Sequence, residues 1–600
     1  MMKKFLLIVC GSFVGVWLAL MIFTLVAIIS SFAILGSFAA VTSATSPSIS
    51  KNSILHLDLG YEVTERDGME DLDVTSLVMG GDMEKTISLP TLVAAIEEAA
   101  TNDNIKGIYL ECNGLMAGIA TRYEIRDALQ KFKKSKKFIY AFGQTGISQG
   151  DYFLASVADS IFLNPEGSVN LVGLASATPY FKKLMDKVGI EMQVIRVGTF
   201  KSAVEPYMLD SISPANRLQQ ETYLGNIWNS MVDSIAASRK LTPERINQLT
   251  DNIVAIMPAD SLVRYKIVDK LCYRNEMDNR LRALTEVDID KDLNLVSPDD
   301  LASVAASKDK SGKDVIAVVY AVGEIDGNES VTSGSGINSE DLCETIYSLQ
   351  NDKDIKGMVL RVNSPGGSAF GSEQIWKAID DFKKEGKTVA VSMGDYAASG
   401  GYYISAGAER IFAQPTTITG SIGIFGMIPC INELVENKLG VNVSVVKTNK
   451  NSEMGTLTKK LTPAQKDALQ QMVNRGYELF TGRCAAGRHV SQDSIKQIAE
   501  GRVWDGISAK KIGLVDEFGN VDSAVKWVAK KNNLSDKYSV NYYPTQETRW
   551  EKMLKKYGSV STEKRLKSEL GFLYEYYREA QKALGRNHIL CLMEPTQIEM

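Results

Sequence analysis

The sequence predicts an α/β protein in which one fold is used twice, behind a single membrane-spanning helix. Three observations predict this: a long charge-free run near the N-terminus, a match of the chain with itself at an offset near 250 residues, and alternation of strand-like and helix-like patterns within each copy.

The N-terminal element comes first. Met1–Lys4 carries two lysines, and from Phe5 to Val41 there is no charged residue; Lys51 is the next charge. About 20 apolar residues suffice to cross a bilayer, whereas the apolar core of a cleavable leader is roughly 7–15 residues long. The run therefore reads as an uncleaved anchor over residues 1–45. Cleavage near Ala39-Ala40 and a buried soluble helix are the competing readings. Lys3 and Lys4 belong on the cytoplasmic side by the positive-inside rule, which places the rest of the chain outside the cytoplasm. Thr42–Ser50 (TSATSPSIS) is small and polar and reads as a flexible tether.

The repeat comes next. Asn104-Ile105-Lys106-Gly107 corresponds to Asp354-Ile355-Lys356-Gly357, and Phe132-Lys133-Lys134 to Phe382-Lys383-Lys384. Gly150, Tyr152 and Phe153 correspond to Gly400, Tyr402 and Tyr403, Ser213-Pro214-Ala215 to Thr462-Pro463-Ala464, and Val268-Asp269 to Val515-Asp516. The first copy is assigned to residues 46–300 and the second to 314–545, with a linker at 301–313 whose core is the small, polar Ala302–Gly312. In the second copy Val315–Val322, Gly357–Val362 and Thr388–Ser392 read as strands. Glu373–Glu385 reads as a helix, with Ile375, Ala378, Ile379 and Phe382 at helical spacing. This alternation implies a mainly parallel sheet covered by helices. Ser213 and Thr462 each precede Pro-Ala, the pattern of an N-cap followed by proline at the first helical position. Residues 546–600 have no counterpart in the first copy. They read as a helical extension over Lys552–Ala583, with Leu566, Leu570, Phe572, Leu573 and Tyr576 as a partial apolar stripe, for core packing or for contact with a subunit or bilayer surface.

Composition narrows the chemistry. Hydrophobic residues make up 44% and charged residues 23%, ordinary for a globular chain. The net charge of −5 offers no basic face to a phosphate backbone, so nucleic acid is not an expected partner. The three histidines, His56, His489 and His588, are isolated, and no HExxH or CxxC pair occurs, so no protein-ligated metal is expected. The seven cysteines are scattered and read as free buried thiols.

The chemistry lies where the copies differ. Gly394-Asp395-Tyr396-Ala397-Ala398-Ser399-Gly400-Gly401 follows a strand and opens a helix-like segment. A serine there is either a nucleophile near a helix N-terminus or a small residue needed for packing. Asn363-Ser364-Pro365-Gly366-Gly367 ends the preceding strand; its glycines suit backbone N–H groups turned into a cleft, or a plain turn. In the first copy Gln149 stands opposite Ser399, and Asn113–Ala117 opposite the Ser-Pro-Gly-Gly turn, so only one copy offers a nucleophile. A serine needs a base, and histidine is scarce. A lysine serves if burial lowers its pKa from about 10.4 toward roughly 7–8. Lys201, in Gly198-Thr199-Phe200-Lys201-Ser202-Ala203-Val204-Glu205-Pro206, is a candidate; a surface lysine after a strand is the plainer alternative.

Taken together, DYAASGGYYIS, NSPGGS, TGSIGIFG (Thr419–Gly426) and GTFKSAVEP closely resemble the long form of the bacterial signal peptide peptidase A family, also called protease IV. The likeness covers nearly the whole chain. It implies two tandem ClpP/crotonase-like repeats, with Ser399 as nucleophile and Lys201 as general base. It also implies a supporting hydroxyl from Ser421 that orients the lysine. Oxyanion donors are then expected near Gly366 or Gly367 and near Ser399 or Gly400. The expected activity is serine endopeptidase cleavage of released signal peptides and other unstructured apolar peptides, without metal or organic cofactor. The family forms rings or domes, so a homo-oligomer is expected, a tetramer among the options. The expected location is the inner (cytoplasmic) membrane, with a single pass and the catalytic domains on the periplasmic side. A crotonase-like acyl-thioester enzyme and a non-catalytic membrane scaffold are the rival readings.

Overall fold

The computed structural model describes residues 48–66, 85–307, 312–325, 336–534, 537–544, 589–593 and 598–599. The expected anchor (1–45) and the expected helix Lys552–Ala583 lie outside the described residues. Among the described residues no helix is long and apolar enough to cross a membrane.

The first half is built on strands β1 (Ser53–Asp58), β2 (Ile105–Glu111), β3 (Phe138–Gly143) and β4 (Ser160–Leu163), an outlying strand β5 (Glu191–Arg196), and short strands β6 (Lys270–Leu271) and β7 (Leu295–Val296). Its helices include α1 (Leu89–Thr101), α2 (Ile119–Phe132), α3 (Gln149–Ala155), α4 (Pro214–Arg239) and α5 (Pro298–Ser307). The sheet runs in the order β6-β4-β3-β2-β1-β7, and all its pairs are parallel.

The second half repeats the plan with β8 (Val315–Val322), β9 (Ile355–Ser364), β10 (Gly366–Ser368), β11 (Thr388–Ala398), β12 (Arg410–Ala413), β13 (Ile418–Gly420), β14 (Phe425–Cys430), β15 (Val503–Asp505) and β16 (Ser539–Tyr543). Its helices include α6 (Ser339–Asn351), α7 (Ala369–Lys384), α8 (Gly400–Ser405), α9 (Pro463–Arg488) and α10 (Val521–Lys531). The order is β15-β13-β11-β9-β8-β16, with β12 beside β11; only β13–β15 is antiparallel. Strands such as β8, buried along most of their length, are apolar on both faces because helices cover both sides of a parallel sheet.

The duplication extends to an irregularity. β1 and β2 slip register between Ser53 and Ile54, so that Ile54 faces Gly107; β8 and β9 slip between Val315 and Ile316, so that Ile316 faces Gly357. The shared Ile-Lys-Gly sits at this slip. A Cβ on Gly107 would lie 2.5 Å from the Phe138 ring, and one on Gly357 2.6 Å from Val528. Both glycines make room for a close neighbour. The paired caps are also present: Ser213 accepts from Asn216 N–H at the start of α4, and Thr462 from Gln465 N–H at the start of α9.

Three expectations differ from what is found. Helix α7 begins at Ala369 rather than Glu373, because the Ser368 hydroxyl accepts the Gly371 N–H and caps it earlier; Ala-Phe-Gly-Ser shows no amphipathic period. The expected linker does not begin at residue 301: Leu301 is fully buried in the first half's core, and α5 continues to Ser307. Its alanines propagate a helix that Leu301 anchors. Finally, the end of the expected helical extension is extended backbone. Strands β17 (Ile589–Leu592) and β18 (Ile598–Glu599) are short, and β17 is an apolar run that fills a gap between two other strands.

A third sheet joins the halves, in the order β5-β14-β17-β10, and every pair is antiparallel. Strand β5 thus leaves its own half and pairs along its whole length with β14 of the other, from Glu191↔Cys430 to Arg196↔Phe425.

Candidate active site

Lys201 stands just beyond β5. Because β5 is bonded to β14, the loop after it is delivered into the second half. Lys201 is 1% exposed and Ser399 fully buried. Lys201 Nζ donates to Ser399 Oγ at 2.8 Å. The same Nζ lies 3.0 Å from Ser421 Oγ and 3.1 Å from Ser421 O.

Ser399 occupies the turn between β11 and α8 with φ 56° and ψ −113°. Positive φ is costly for a residue with a Cβ and persists only where the surroundings enforce it. Here its N–H donates to Gly420 O at 2.8 Å, and its C=O accepts from Tyr403 N–H at 2.8 Å in the first turn of α8. Ser421, at φ 50°, is held by its N–H to Arg502 O at 2.7 Å. The Ser399 N–H is thus engaged by Gly420, and Gly400 follows at the first position of α8. Across from it, Gly366 (φ 106°) and Gly367 (φ 152°) adopt conformations that favour glycine. A Cβ on Gly367 would lie 1.9 Å from Ile325 O, and one on Gly401 2.6 Å from Ser364 O. The turn and the start of α8 are therefore in close backbone contact.

Several residues that hold the site were not found by sequence reasoning. Gly501 (φ 77°) packs on the lysine stem: a Cβ there would be 2.6 Å from Lys201 Cβ, and one on Gly423 3.3 Å from Lys201 Cδ. The loop after Lys201 is tied to α4. Buried Glu205 accepts from Ser213 Oγ at 2.6 Å and Asn216 Nδ2 at 3.1 Å. Gln219 donates to Ser202 Oγ at 3.1 Å while its carbonyl accepts from Val503 N–H at 3.0 Å. The Glu-Pro after KSAV and the Ser-Pro cap of α4 were visible, but not that they meet.

Asp395, four residues before the serine, also crosses between the halves. Its carboxylate accepts from Ala120 N–H at 2.7 Å, Thr121 N–H at 3.1 Å and Thr121 Oγ1 at 2.6 Å. The two N–H groups are orphan donors of the first turn of α2. Gly118 makes the approach feasible, since a Cβ there would lie 2.1 Å from the Asp395 carboxyl carbon. Nearby, buried Arg361 of β9 pairs with two carboxylates of the first half, Glu65 at 2.8 Å and Glu124 at 2.8 Å. Burial pushes Glu124 up to about 7 despite the pull of Arg361.

The equivalent place in the first half is closed. Asp151 accepts the N–H groups of Gly114 and Leu115 at 2.8 and 3.0 Å, within the loop that corresponds to Ser-Pro-Gly-Gly. Arg122 fills the space beside Gly150, where a Cβ would meet its Nη1 at 1.9 Å. Gln149, in the serine's position, is buried and bonded to Val172 and Gly173. Among the described residues no group of three or more His, Cys, Asp or Glu is arranged to hold a metal ion. The five cysteines with described side chains are all free thiols.

Comparison with known proteins adds an independent line. The model of peptidase family S49 matches twice, at residues 131–288 and 381–535, and the Clp protease model matches residues 307–419. Protease 4 of Haemophilus influenzae is 35% identical over 482 residues, covering 79% of this chain and 77% of that protein. Protease 4 of Salmonella typhi is 36% identical over 474 residues, covering 77% and 74%. A protein of Enterococcus faecium provisionally named signal peptide peptidase SppA is 34% identical over 216 residues, covering 36% and 62%.

Proposed function

Because the chain belongs to peptidase family S49, and is a serine protease of the signal peptide peptidase A type, we propose that Ser399 is its nucleophile and Lys201 its general base. The observation that carries this reading is the 2.8 Å contact between Lys201 Nζ and Ser399 Oγ, made by two buried side chains from opposite halves. Burial favours an uncharged amine, which is the form able to accept a proton.

In the proposed cycle the amine takes the Ser399 proton as Oγ attacks a peptide carbonyl. The resulting oxyanion is held by the Gly400 N–H and by Gly366 or Gly367 across the cleft. The lysine then gives its proton to the leaving amine, and water, activated by the same amine, releases the acyl group. Ser421 positions the lysine: its hydroxyl and carbonyl oxygens fix the direction of Nζ. No step calls for a metal or organic cofactor.

The proposed substrates are released signal peptides and other unstructured apolar peptides. The name borne by the Enterococcus faecium relative and the apolar N-terminal run support this. With residues 1–45 as an anchor, the site works at the outer face of the inner membrane, where such peptides are left. A homo-oligomer is part of the same proposal.

The test is proteolysis of a synthetic signal peptide by the wild-type chain, Ser399→Ala and Lys201→Ala. Both variants should fold and lose at least ~10³-fold in kcat/KM. The wild-type rate should rise with pH along a limb well below the ordinary lysine value of about 10.4. Full activity in Lys201→Ala would remove the proposed base.

A further inference from the structure

The two copies share a left-handed turn and use it differently. The spacing that relates Val268 to Val515 also relates Ile253 to Glu500, and both adopt positive φ, 57° and 55°. In the first half the turn meets solvent: Ile253 and Ile256 are 56% and 79% exposed. In the second half it receives the loop that brings in Lys201. The Phe200 N–H donates to Glu500 O at 3.0 Å, and the Thr199 N–H to Glu500 Oε2 at 3.3 Å. A Cβ on Gly198 would lie 2.4 Å from Glu500 O. The residues after the turn differ as well: Arg502 and Trp504 stand where the first half has Ala255 and Met257.

Arg502 touches three parts of the site. Its guanidinium carbon lies 5.0 Å from the centre of the Phe200 ring and 4.2 Å from that of Trp504. Phe200 directly precedes Lys201, and Trp504 is fixed by its Nε1–H to Ile498 O at 3.0 Å. The Arg502 carbonyl accepts the Ser421 N–H, and Gly501 beside it packs on the Lys201 stem. Among the described residues no carboxylate is in ion-pair contact with Arg502. Its Nε is buried without a hydrogen-bond partner, and burial alone pushes the guanidinium below its ordinary pKa. A guanidinium held by ring faces is attracted to both rings and keeps its charge unneutralised.

We propose that Arg502 is a positioning residue for the general base: it clamps the Lys201 loop of the first half onto the Ser421 turn of the second, and its unpaired charge helps keep the amine neutral. This rests on the assignment of Lys201 as base, and adds to it the side chain that holds that base across the junction. The other charged or titratable groups around the loop are engaged elsewhere. Arg196 of β5 donates to Lys201 O at 3.1 Å, and Glu205 accepts from Ser213 and Asn216. From the second half, Glu500 takes the Thr199 N–H, Tyr477 Oη accepts the Glu500 N–H, and Asp505 of β15 is bonded to Ser508 and Asn226. Loss of Arg502 therefore removes one positive charge and frees no carboxylate.

The test compares the full-length wild type in detergent with Arg502→Met, Arg502→Lys and Phe200→Leu, reading kcat, KM and the pH–rate profile on a synthetic signal peptide. Arg502→Met keeps the length of the side chain and loses its charge. Its kcat should fall about 10–100-fold with KM within about twofold of wild type. The limb that reports the base should move up by roughly half to one pH unit, because a nearby cation disfavours a protonated amine. Arg502→Lys keeps the charge without the flat face, so the limb should stay and kcat should fall by less. Phe200→Leu removes one face of the clamp and keeps the charge: kcat should fall with the limb in place, and adding Arg502→Met should cost less than the two single losses combined. A kcat for Arg502→Met within about threefold of wild type, or an unmoved limb, would overturn the proposal and leave the base assignment standing. If Arg502→Met does not fold, an unchanged kcat in Phe200→Leu overturns it equally. A fully active Lys201→Ala would instead remove the base, and the clamp with it.

Discussion

Asp395 of the second half and Thr121 of the first are joined twice: Oδ1 accepts the Thr121 N–H at 3.1 Å and Oδ2 its hydroxyl at 2.6 Å. The carboxylate acts as a helix cap supplied by a different repeat. Replacing a cap costs about 0.5–2 kcal/mol, and leaving buried donors unpaired adds about 1–3 kcal/mol. Asp395→Ala should therefore lower the denaturation midpoint clearly. It should also depress kcat, because Asp395 fixes the strand that ends at Ser399. Asp395→Asn keeps an acceptor and should recover part of both, as read by urea unfolding and peptide hydrolysis.

The Glu65–Arg361–Glu124 cluster gives a pH signature. Glu124 is raised from its ordinary 4.5 to about 7, first by burial and then by Glu65, against the attraction of Arg361. A carboxyl whose folded pKa is raised contributes stability that is fully present below the unfolded value and is lost as pH rises through the folded one. The stability of the wild type relative to Glu124→Gln should thus decline between pH 4.5 and about 7 and be flat above. Arg361→Met leaves two buried carboxylates without their cation and should cost about 3–5 kcal/mol near neutrality. Paired melts of wild type and variants across this range give the check.

Ser421→Ala removes the 3.0 Å contact to Lys201 Nζ but keeps the carbonyl contact at 3.1 Å. The lysine should stay in place with a looser direction. The expected result is a loss of about 10–100-fold in kcat with little change in KM, at an unchanged melting temperature. Ser421→Gly, which suits the positive φ of 50° but lacks the hydroxyl, should lose the rate to a similar extent. A KM effect without a kcat effect would contradict the positioning role.

Gly501→Ala tests the packing under the lysine. Its positive φ of 77° and a Cβ 2.6 Å from Lys201 Cβ leave no room for a methyl group. The backbone cost of a left-handed conformation for alanine is alone about 1–2 kcal/mol. The contact should also push Lys201 from Ser399, so activity should fall by more than the loss of stability predicts. Gly423→Ala, with its nearest lysine atom at 3.3 Å, should be milder on the lysine. Activity and thermal melts of the two variants, side by side, separate the effects.

What could be read from the chain depended on whether it left a local mark. The Ile-Lys-Gly pair, the Ser-Pro and Thr-Pro caps and the apolar spacing of Ile375 to Phe382 are local, and each sits at equivalent or expected places. The serine-protease assignment rested on four short motifs seen together, and the family match agrees with it. The contact of Lys201 with Ser399 spans 198 positions, and spacing alone does not reveal it. Asp395 could not be seen as a cap, because its helix lies some 275 positions earlier. Gly501 looks like any loop glycine until Lys201 is placed over it. Residues 301–307 were misread because alanine and serine suit tethers and helices alike, and burial of Leu301 decides between them. The tail was misread because four apolar residues carry no period long enough to tell strand from helix.

Duplicated folds usually leave a spare. In the first half Asp151 occupies the N–H groups of Gly114 and Leu115, and Arg122 fills the space beside Gly150, so no backup centre waits there. Meanwhile β5 has been lent to the other half. Lesions in either repeat should therefore behave as complete losses, and the two repeats are bound to be inherited together as one indivisible unit.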